Sequence, residues 1–445
     1  MNAIRRIAFV CMTPEIDANE HEGADLPSYG IHRILASVAA DPALQHCQLG
    51  LIDMGQADVE AYVRALVSFE PDLIGFSVYV WSTPCLIEVA RRFKELRPNC
   101  TIVFGGPSAR TKVFDVYPNV EPHECLDAVV SAEGEMTFRE IARLSTLDHA
   151  HLATVGGLDL ATPDGWHHTG ARTPIRHLDD IPSPFQMSMM RRNSVAYLET
   201  YRGCPLGCRF CEWGASDSPK TVFSAEYLMR ELHAFAVTSC PSVFLLDAGL
   251  NLNARAFRNL VAAEREVGFL RSAGLWAEIY PSHVRDEHLE FLETVGTGYL
   301  GIGLQSRDPA VLKNHDRPWD QDQFEQSVRQ LAEVAFGEIQ IIFGLPTDSP
   351  AGFLETLAFA RSLPVGVRAY HCLVLPDALL TRSKPDWNVQ FDPVTLEMHR
   401  CTGWTYDAIL EMREYLIRET TAAGGKSGDY WFYFPNPKLA QRKAS

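Results

Sequence analysis

The stretch Tyr197-Leu198-Glu199-Thr200-Tyr201-Arg202-Gly203-Cys204-Pro205-Leu206-Gly207-Cys208-Arg209-Phe210-Cys211 decides how this chain is read. A short strand signal runs into a loop rich in Gly and Pro that holds three cysteines at spacing C-x3-C-x2-C. Thiolate ligands select zinc or iron–sulfur centres. A fourth nearby Cys or His would complete a zinc site or a fully ligated cluster, but the next cysteine is Cys240, across a helix signal. Three thiolates suit three irons of a [4Fe–4S] cluster and leave one iron open. A zinc knuckle or fortuitous spacing is the competing reading. Cys204, Cys208 and Cys211 are the expected metal ligands.

Outward from this loop the chain alternates strand and helix signals. Downstream, helices over 225–236, 254–267, 286–295 and 324–335 separate apolar strands over 242–247, 275–279, 299–306 and 339–346, with a last strand at 370–376. Such units build a partial (β/α) barrel with its site at the carboxyl ends of the strands. Upstream, apolar strands over 7–12, 48–53, 73–78, 101–104 and 128–130 alternate with helices, which predicts a flavodoxin-like parallel sheet. Ser77, Gly105 and Gly106 then lie at carboxyl ends of strands, where ligands sit. Adjacent glycines let a planar ligand approach the backbone, or simply make a tight turn. The expected fold class is α/β: a doubly wound domain over 1–145, a linker over 146–192, a partial barrel over 193–376 and a C-terminal segment over 377–445. That last segment shows a helix near 394–420 and the aromatic run Tyr430-Trp431-Phe432-Tyr433-Phe434. The run reads as core packing of a terminal segment, or as a cap on the barrel mouth.

The 445 residues are 46% hydrophobic and 22% charged, which excludes wholesale disorder. A net charge of −16 argues against nucleic acid and anionic membranes as partners. No apolar run is long enough to span a bilayer, and the N-terminus lacks a signal-peptide core. The expected location is the cytoplasm, where eleven cysteines stay reduced.

The three-cysteine loop, with the aromatic Phe210 directly before its last cysteine, resembles the radical SAM family. Gly303-Leu304-Gln305-Ser306, followed by Val311-Leu312 and Arg317, and Phe343-Gly344-Leu345-Pro346 are similar to the branch that includes oxygen-independent coproporphyrinogen dehydrogenase and the methylthiotransferases. The first third, with Gly105-Gly106-Pro107 and Glu133-Gly134-Glu135, resembles the cobalamin (B12)-binding domain fused to one large radical SAM branch. The resemblance implies S-adenosylmethionine on the open iron, cleaved to a 5′-deoxyadenosyl radical with an electron from a flavodoxin or ferredoxin. It implies that Glu278, Gln305 and Ser306 hold the ribose and methionine parts of S-adenosylmethionine, with Gly344 beside the adenine and Phe210 beside the cluster. A salt bridge to a neighbouring Arg is the plainer role for Glu278. Ser77, Gly105 and Gly106 would border cobalamin. The chain departs from the B12 pattern at Asn19-Glu20-His21-Glu22-Gly23, so His21 is expected to be a loop histidine and not a cobalt ligand, and at Ala132, where glycine is usual. Gly301-Ile302-Gly303 is not a dinucleotide fingerprint, since Ser306 occupies the third glycine position. Gly425-Lys426-Ser427 is not a phosphate loop, since Thr420 stands where its first glycine belongs.

The outcome of the radical step is less constrained. Similarity to radical SAM dehydratases of aminoglycosides, the short segment after the barrel, the run Cys211-Glu212-Trp213-Gly214 and the acidic surplus favour dehydration of a small cationic substrate of aminoglycoside type in antibiotic biosynthesis. Asp247, His371 and Asp377, at predicted strand ends, are the acid–base candidates for it. Cobalamin-dependent C-methylation is the alternative. A cobalamin- or cluster-bearing sensor is a third reading, against which the S-adenosylmethionine segments argue.

Overall fold

The structure is a computed structural model that describes residues 5–13, 26–131, 133–213 and 221–436, so His21, Ala132 and Gly214 lie outside the described residues. The chain divides into two compact units. The first runs to Val195 and also takes in Val237–Ser239 and Pro393–Thr395; the second holds the remainder from Ala196 on.

In the first unit the apolar runs become strands β1 (Arg6–Cys11), β2 (Gln48–Asp53), β3 (Leu73–Ser77), β4 (Thr101–Gly105) and β5 (Ala128–Val130). They pair in parallel in the order β2-β1-β3-β4-β5. This is the flavodoxin order, and the winding reverses between β1 and β3, where such sheets bind ligands. Residues 7–10 and 73–76 are buried throughout, as strands covered on both faces require. Asp72, just before β3, accepts the Arg6 backbone N–H at 2.8 Å and fixes the β1–β3 register. The stretch expected as a linker does more than connect. Leu158–Thr162 (β6) and Gly165–His168 (β7) form an antiparallel hairpin that joins β5 and widens the sheet to seven strands. The turn signal Pro163-Asp164-Gly165 is the hairpin's tip, and Gly165 adopts φ +111° there.

In the second unit β8 (Ala196–Leu198), β9 (Ser242–Leu245), β10 (Gly274–Ile279), β11 (Thr297–Gln305), β12 (Phe336–Phe343) and β13 (Gly366–His371) pair in parallel, each beside its predecessor in sequence. Burial alternates along β10 and β11 with period two. Leu275, Ala277, Leu300 and Ile302 are buried, and the residues between them form the other, half-buried face. On that face Tyr197, Phe244, Trp276, Tyr299 and Phe336 stand at matched register positions across five strands. The Trp276 and Tyr299 rings stack at 4.3 Å, and those of Tyr299 and Phe336 at 5.3 Å.

The C-terminal segment differs from expectation. Gln390–Phe391 (β14) and Met398–Arg400 (β15) make a small hairpin, so the helix starts only at Tyr406, capped by Thr405, and runs to Ala422. Lys426–Ser427 (β16) pairs antiparallel with the aromatic run Trp431–Phe434 (β17), which itself extends the large sheet antiparallel to β13. Phe432 and Phe434 face the core, while Trp431 and Tyr433 pack over the Arg368 guanidinium at 4.8 and 5.3 Å.

Candidate active site

The three cysteines follow β8 on an irregular loop, with Cys208 buried and Cys204 and Cys211 partly so. Each sulfur has a donor aimed at it. The Leu206 N–H points to Cys204 Sγ at 3.5 Å, Arg317 Nη1 approaches Cys208 Sγ at 3.9 Å, and the Trp213 backbone donates to Cys211. Burial, reinforced by the other two sulfurs, pushes the Cys211 thiol up to about 11. Three thiols on one loop, each met by an N–H donor, fit ligands that become thiolates when a metal is bound. Among the described residues no three Cys, His, Asp or Glu side chains converge tightly enough for one metal ion. A zinc knuckle needs such convergence; a four-iron cuboid holds its thiolates further apart. The three thiols, two of them with an N–H donor at 3.5 and 3.9 Å, fit the three-thiolate set of a [4Fe–4S] cluster.

Beside the loop, two glycines on one face of β11 open a polar slot. A Cβ on Gly301 would meet Glu278 Oε1 at 2.3 Å, and one on Gly303 would meet Gln305 Nε2 at 2.8 Å and Arg317 Nη2 at 2.9 Å. These period-two glycines, which are no nucleotide fingerprint, make room for three polar side chains. Among the described residues Glu278 pairs with no arginine by hydrogen bond; it accepts from Gln340 Nε2 at 3.0 Å, and burial raises its carboxyl. Arg317 donates to the Gly303 carbonyl and lies 5.1 Å over the Tyr280 ring. Gln305 follows a register shift in the β11–β12 ladder and adopts φ +70°, turning the chain out of the strand. Ser306 is fully buried, its hydroxyl accepts the Asp308 N–H at 3.2 Å, and burial raises the Asp348 carboxyl to about 6. Gly344 ends β12 with φ +80°, packed near Cys372 and Met398.

Phe210 lies at the same end, its ring 5.7 Å from His315. His315 is fully buried. Its ring nitrogen Nε2 bonds the Pro346 carbonyl at 2.9 Å, its ring packs on Trp387 at 4.6 Å, and its own carbonyl accepts the Arg209 N–H at 3.1 Å. It joins the cysteine loop to the Phe-Gly-Leu-Pro turn. Neither this role nor that of Gln340 was legible locally, because both partners are distant in sequence.

The acid–base candidates are engaged elsewhere. Asp247 is buried, and its carboxylate accepts Thr200 N at 2.8 Å, Tyr201 N at 3.3 Å and the Thr200 hydroxyl. It anchors the entry to the cysteine loop. His371 falls on the buried parity of β13: its ring stacks on Phe343 at 4.7 Å, and Nε2 meets the Met398 carbonyl at 2.9 Å. Burial lowers it to about 4, so it stays neutral. Asp377 offers its backbone N–H to Glu212 Oε1 at 3.4 Å and belongs to a segment packed on the cysteine loop. Strand ends face either way, and the sequence alone did not fix which.

Burial raises the Asp247 carboxyl to about 7, against the pull of its hydrogen bonds. A carboxyl raised above its ordinary value favours the folded protein below that value, and the contribution is lost as pH rises through about 7. Asp247→Asn is expected to flatten the fall in melting temperature between about pH 4 and pH 7. Asp247→Ala strands two buried N–H groups and is expected to cost about 2 kcal/mol or more in denaturant unfolding.

In the first unit Ser77 and Gly105 close β3 and β4 as register partners. Gly106 has φ +100°, and a Cβ there would lie 2.7 Å from the Val78 carbonyl oxygen, so this turn needs glycine. Trp81, 37% exposed, stacks on Tyr79 at 4.6 Å and donates to the Met12 carbonyl at 3.3 Å beyond β1. An exposed indole after β3, beside the β1–β3 switch point, and the glycine turn after the neighbouring β4 offer a flat apolar edge that a corrin-type macrocycle fits.

Comparison with known proteins agrees with both units. Residues 198–360 match the radical SAM superfamily, and residues 23–142 match the B12 binding domain. The chain is 29% identical to 2-(S-pantetheinyl)-carbapenam-3-carboxylate methyltransferase of Streptantibioticus cattleyicolor, over 69% of this chain and 48% of that protein. It is 28% identical to the cobalamin-dependent radical SAM methyltransferase TokK of Streptomyces tokunonensis, over 70% of this chain and 48% of that one. The chain thus spans about half the length of these curated relatives. The solved structure of the radical S-adenosylmethionine methyltransferase TsrM from Kitasatospora setae, with cobalamin and [4Fe-4S] cluster bound, has a TM-score of 0.65 at 15% identity, covering 89% of this chain and 81% of that one. The cobalamin-dependent S-adenosylmethionine radical enzyme OxsB gives a TM-score of 0.65 at 16% identity, covering 94% and 67%. These structures share the fold. The radical SAM match brings a [4Fe–4S] cluster and S-adenosylmethionine as cofactors, and the B12-binding match brings cobalamin. With the cysteine loop, the polar slot and the glycine turn described, the matches identify a radical SAM domain over residues 198–360 and a B12-binding domain over residues 23–142 in one chain.

Proposed function

We propose that the protein methylates carbon in a small polar molecule, using cobalamin and S-adenosylmethionine together. The observation that carries this reading is the similarity to two methyltransferases, TokK among them, over 69–70% of the chain. It moves the reading from the expected dehydration to the alternative. When bound, the cofactors supply one-electron cleavage of S-adenosylmethionine and a transferable methyl group. The chain's own residues do the positioning. Cys204, Cys208 and Cys211 hold three irons and leave one for S-adenosylmethionine. Glu278, Gln305 and Arg317 receive the polar parts of that molecule in the slot opened by Gly301 and Gly303. Ser77, Gly105 and Gly106 border the macrocycle, with Trp81 as an apolar face.

The test is product analysis after anaerobic reconstitution with iron, sulfide and cobalamin. Methyl transfer yields S-adenosylhomocysteine alongside 5′-deoxyadenosine, and purified protein is expected to hold stoichiometric cobalt. 5′-Deoxyadenosine without S-adenosylhomocysteine, from cobalt-free protein, would return the reading to dehydration.

A further inference from the structure

We propose that the segment Asp377–Arg382, which follows the last parallel strand, is a latch on the cysteine loop, with Arg382 as its positioning residue. The proposal rests on the cluster assignment above. Arg382 sends Nη2 to the Cys211 carbonyl and Nη1 to the Gly207 carbonyl at 3.5 Å. Those two carbonyls flank the span that contains Cys208 and Cys211, so one rigid guanidinium sets the backbone that aims two of the three sulfurs. The grip is reciprocal. Arg209, inside that span, returns a hydrogen bond from Nη1 to the Arg382 carbonyl at 3.2 Å. Arg209 Nε also sits 2.7 Å from Asp316 Oδ2, which ties the far side of the loop to the segment after β11. At the latch's other end the Asp377 N–H meets Glu212 Oε1 at 3.4 Å.

The chemistry suits the position. A loop that gathers three thiolates repels itself, and a guanidinium cannot lose its charge. Arg382 places that fixed charge on carbonyls of the loop and joins two points by planar geometry that a flexible ammonium does not reproduce. The latch thereby does two things: it preforms the loop, and it offsets the negative charge that the loop accumulates. Arg382 touches neither sulfur nor reacting atoms, so its effect passes through the backbone of the loop.

The experiment compares parent, R382Q and R382K after anaerobic reconstitution with iron and sulfide. Iron content, the rate of iron release to a ferrous chelator and the EPR spectrum of the reduced cluster are measured, with melting temperature as the control for folding. R382Q is expected to load iron but release it roughly tenfold faster, the factor carried by one lost charge-assisted hydrogen bond. Its EPR signal is expected to shift. R382K, which keeps the charge without the two-point grip, is expected between R382Q and the parent in both readouts. Should R382Q not fold, R382K against the parent bears the same test. Release from the variants at the parental rate overturns the latch while leaving the cluster assignment standing. A parent protein that takes up no iron overturns the cluster assignment and the latch with it.

Discussion

Cys204→Ala, Cys208→Ala and Cys211→Ala each strip the protein of its iron: cluster content after anaerobic reconstitution is expected to fall by more than about 100-fold, beyond what losing an outer-shell partner costs. 5′-Deoxyadenosine production is expected to fall to background in all three. Cys240→Ala, at a buried site outside the loop, is expected to change neither. The reason is geometric as much as chemical. The three sulfurs sit on eight residues, each with its own donor from Leu206, Arg317 or Trp213, and no other cysteine side chain belongs to that loop. Iron and acid-labile sulfide analysis, with chromatography of the adenosyl product, checks the result. Retained iron and cleavage in any one of the three would refute that residue as a ligand.

Gly301→Ala is expected to raise the Kd for S-adenosylmethionine by about 10- to 100-fold, the value of one or two hydrogen bonds to a charged group. A methyl group at residue 301 would lie 2.3 Å from Glu278 Oε1, so the carboxylate must leave the place where Gln340 holds it at 3.0 Å. The strand itself has no need to move, because Leu300 and Ile302 keep their buried face. The variant should therefore load iron and melt near the parental temperature while binding its cosubstrate weakly. Equilibrium binding on reconstituted protein measures the effect, and unchanged affinity would remove Glu278 from the site. Gly303→Ala, crowding Arg317 and Gln305 at 2.9 and 2.8 Å, is expected to act in the same direction.

Local sequence carried much of this architecture. Apolar runs bounded by turns gave β1 and β3, and the cysteine spacing with Gly303-Leu304-Gln305-Ser306 and Phe343-Gly344-Leu345-Pro346 marked one end of one sheet. The hairpin β6–β7 escaped because its residues are polar and half-exposed, and it is specified by pairing with β5 more than by its own pattern. Asp247 follows β9, and His371 closes β13, a strand that runs over 366–371 where 370–376 was expected; the backbone of Thr200 and Tyr201 claims the first, and Phe343 with the Met398 carbonyl claims the second. Arg382 carries no local signal, since its meaning lies in carbonyls 171 and 175 residues earlier. The proposed methyl transfer stood in the sequence only as the alternative, because its support is similarity along most of the chain and not any motif within it.

The order in which the large sheet is strung has a consequence for biogenesis. From β8 to β13 every strand lies beside the one made just before it, so the sheet can grow as the chain emerges, closing one crossover at a time. The metal-binding loop emerges at the start of that series, but the residue that clasps it arrives only after β13. A ribosome-bound chain therefore exposes three thiols on an unclasped loop until the rest of the barrel exists. Iron delivered to the finished protein meets a preformed cradle; iron delivered earlier meets a loose strand of cysteines open to oxidation.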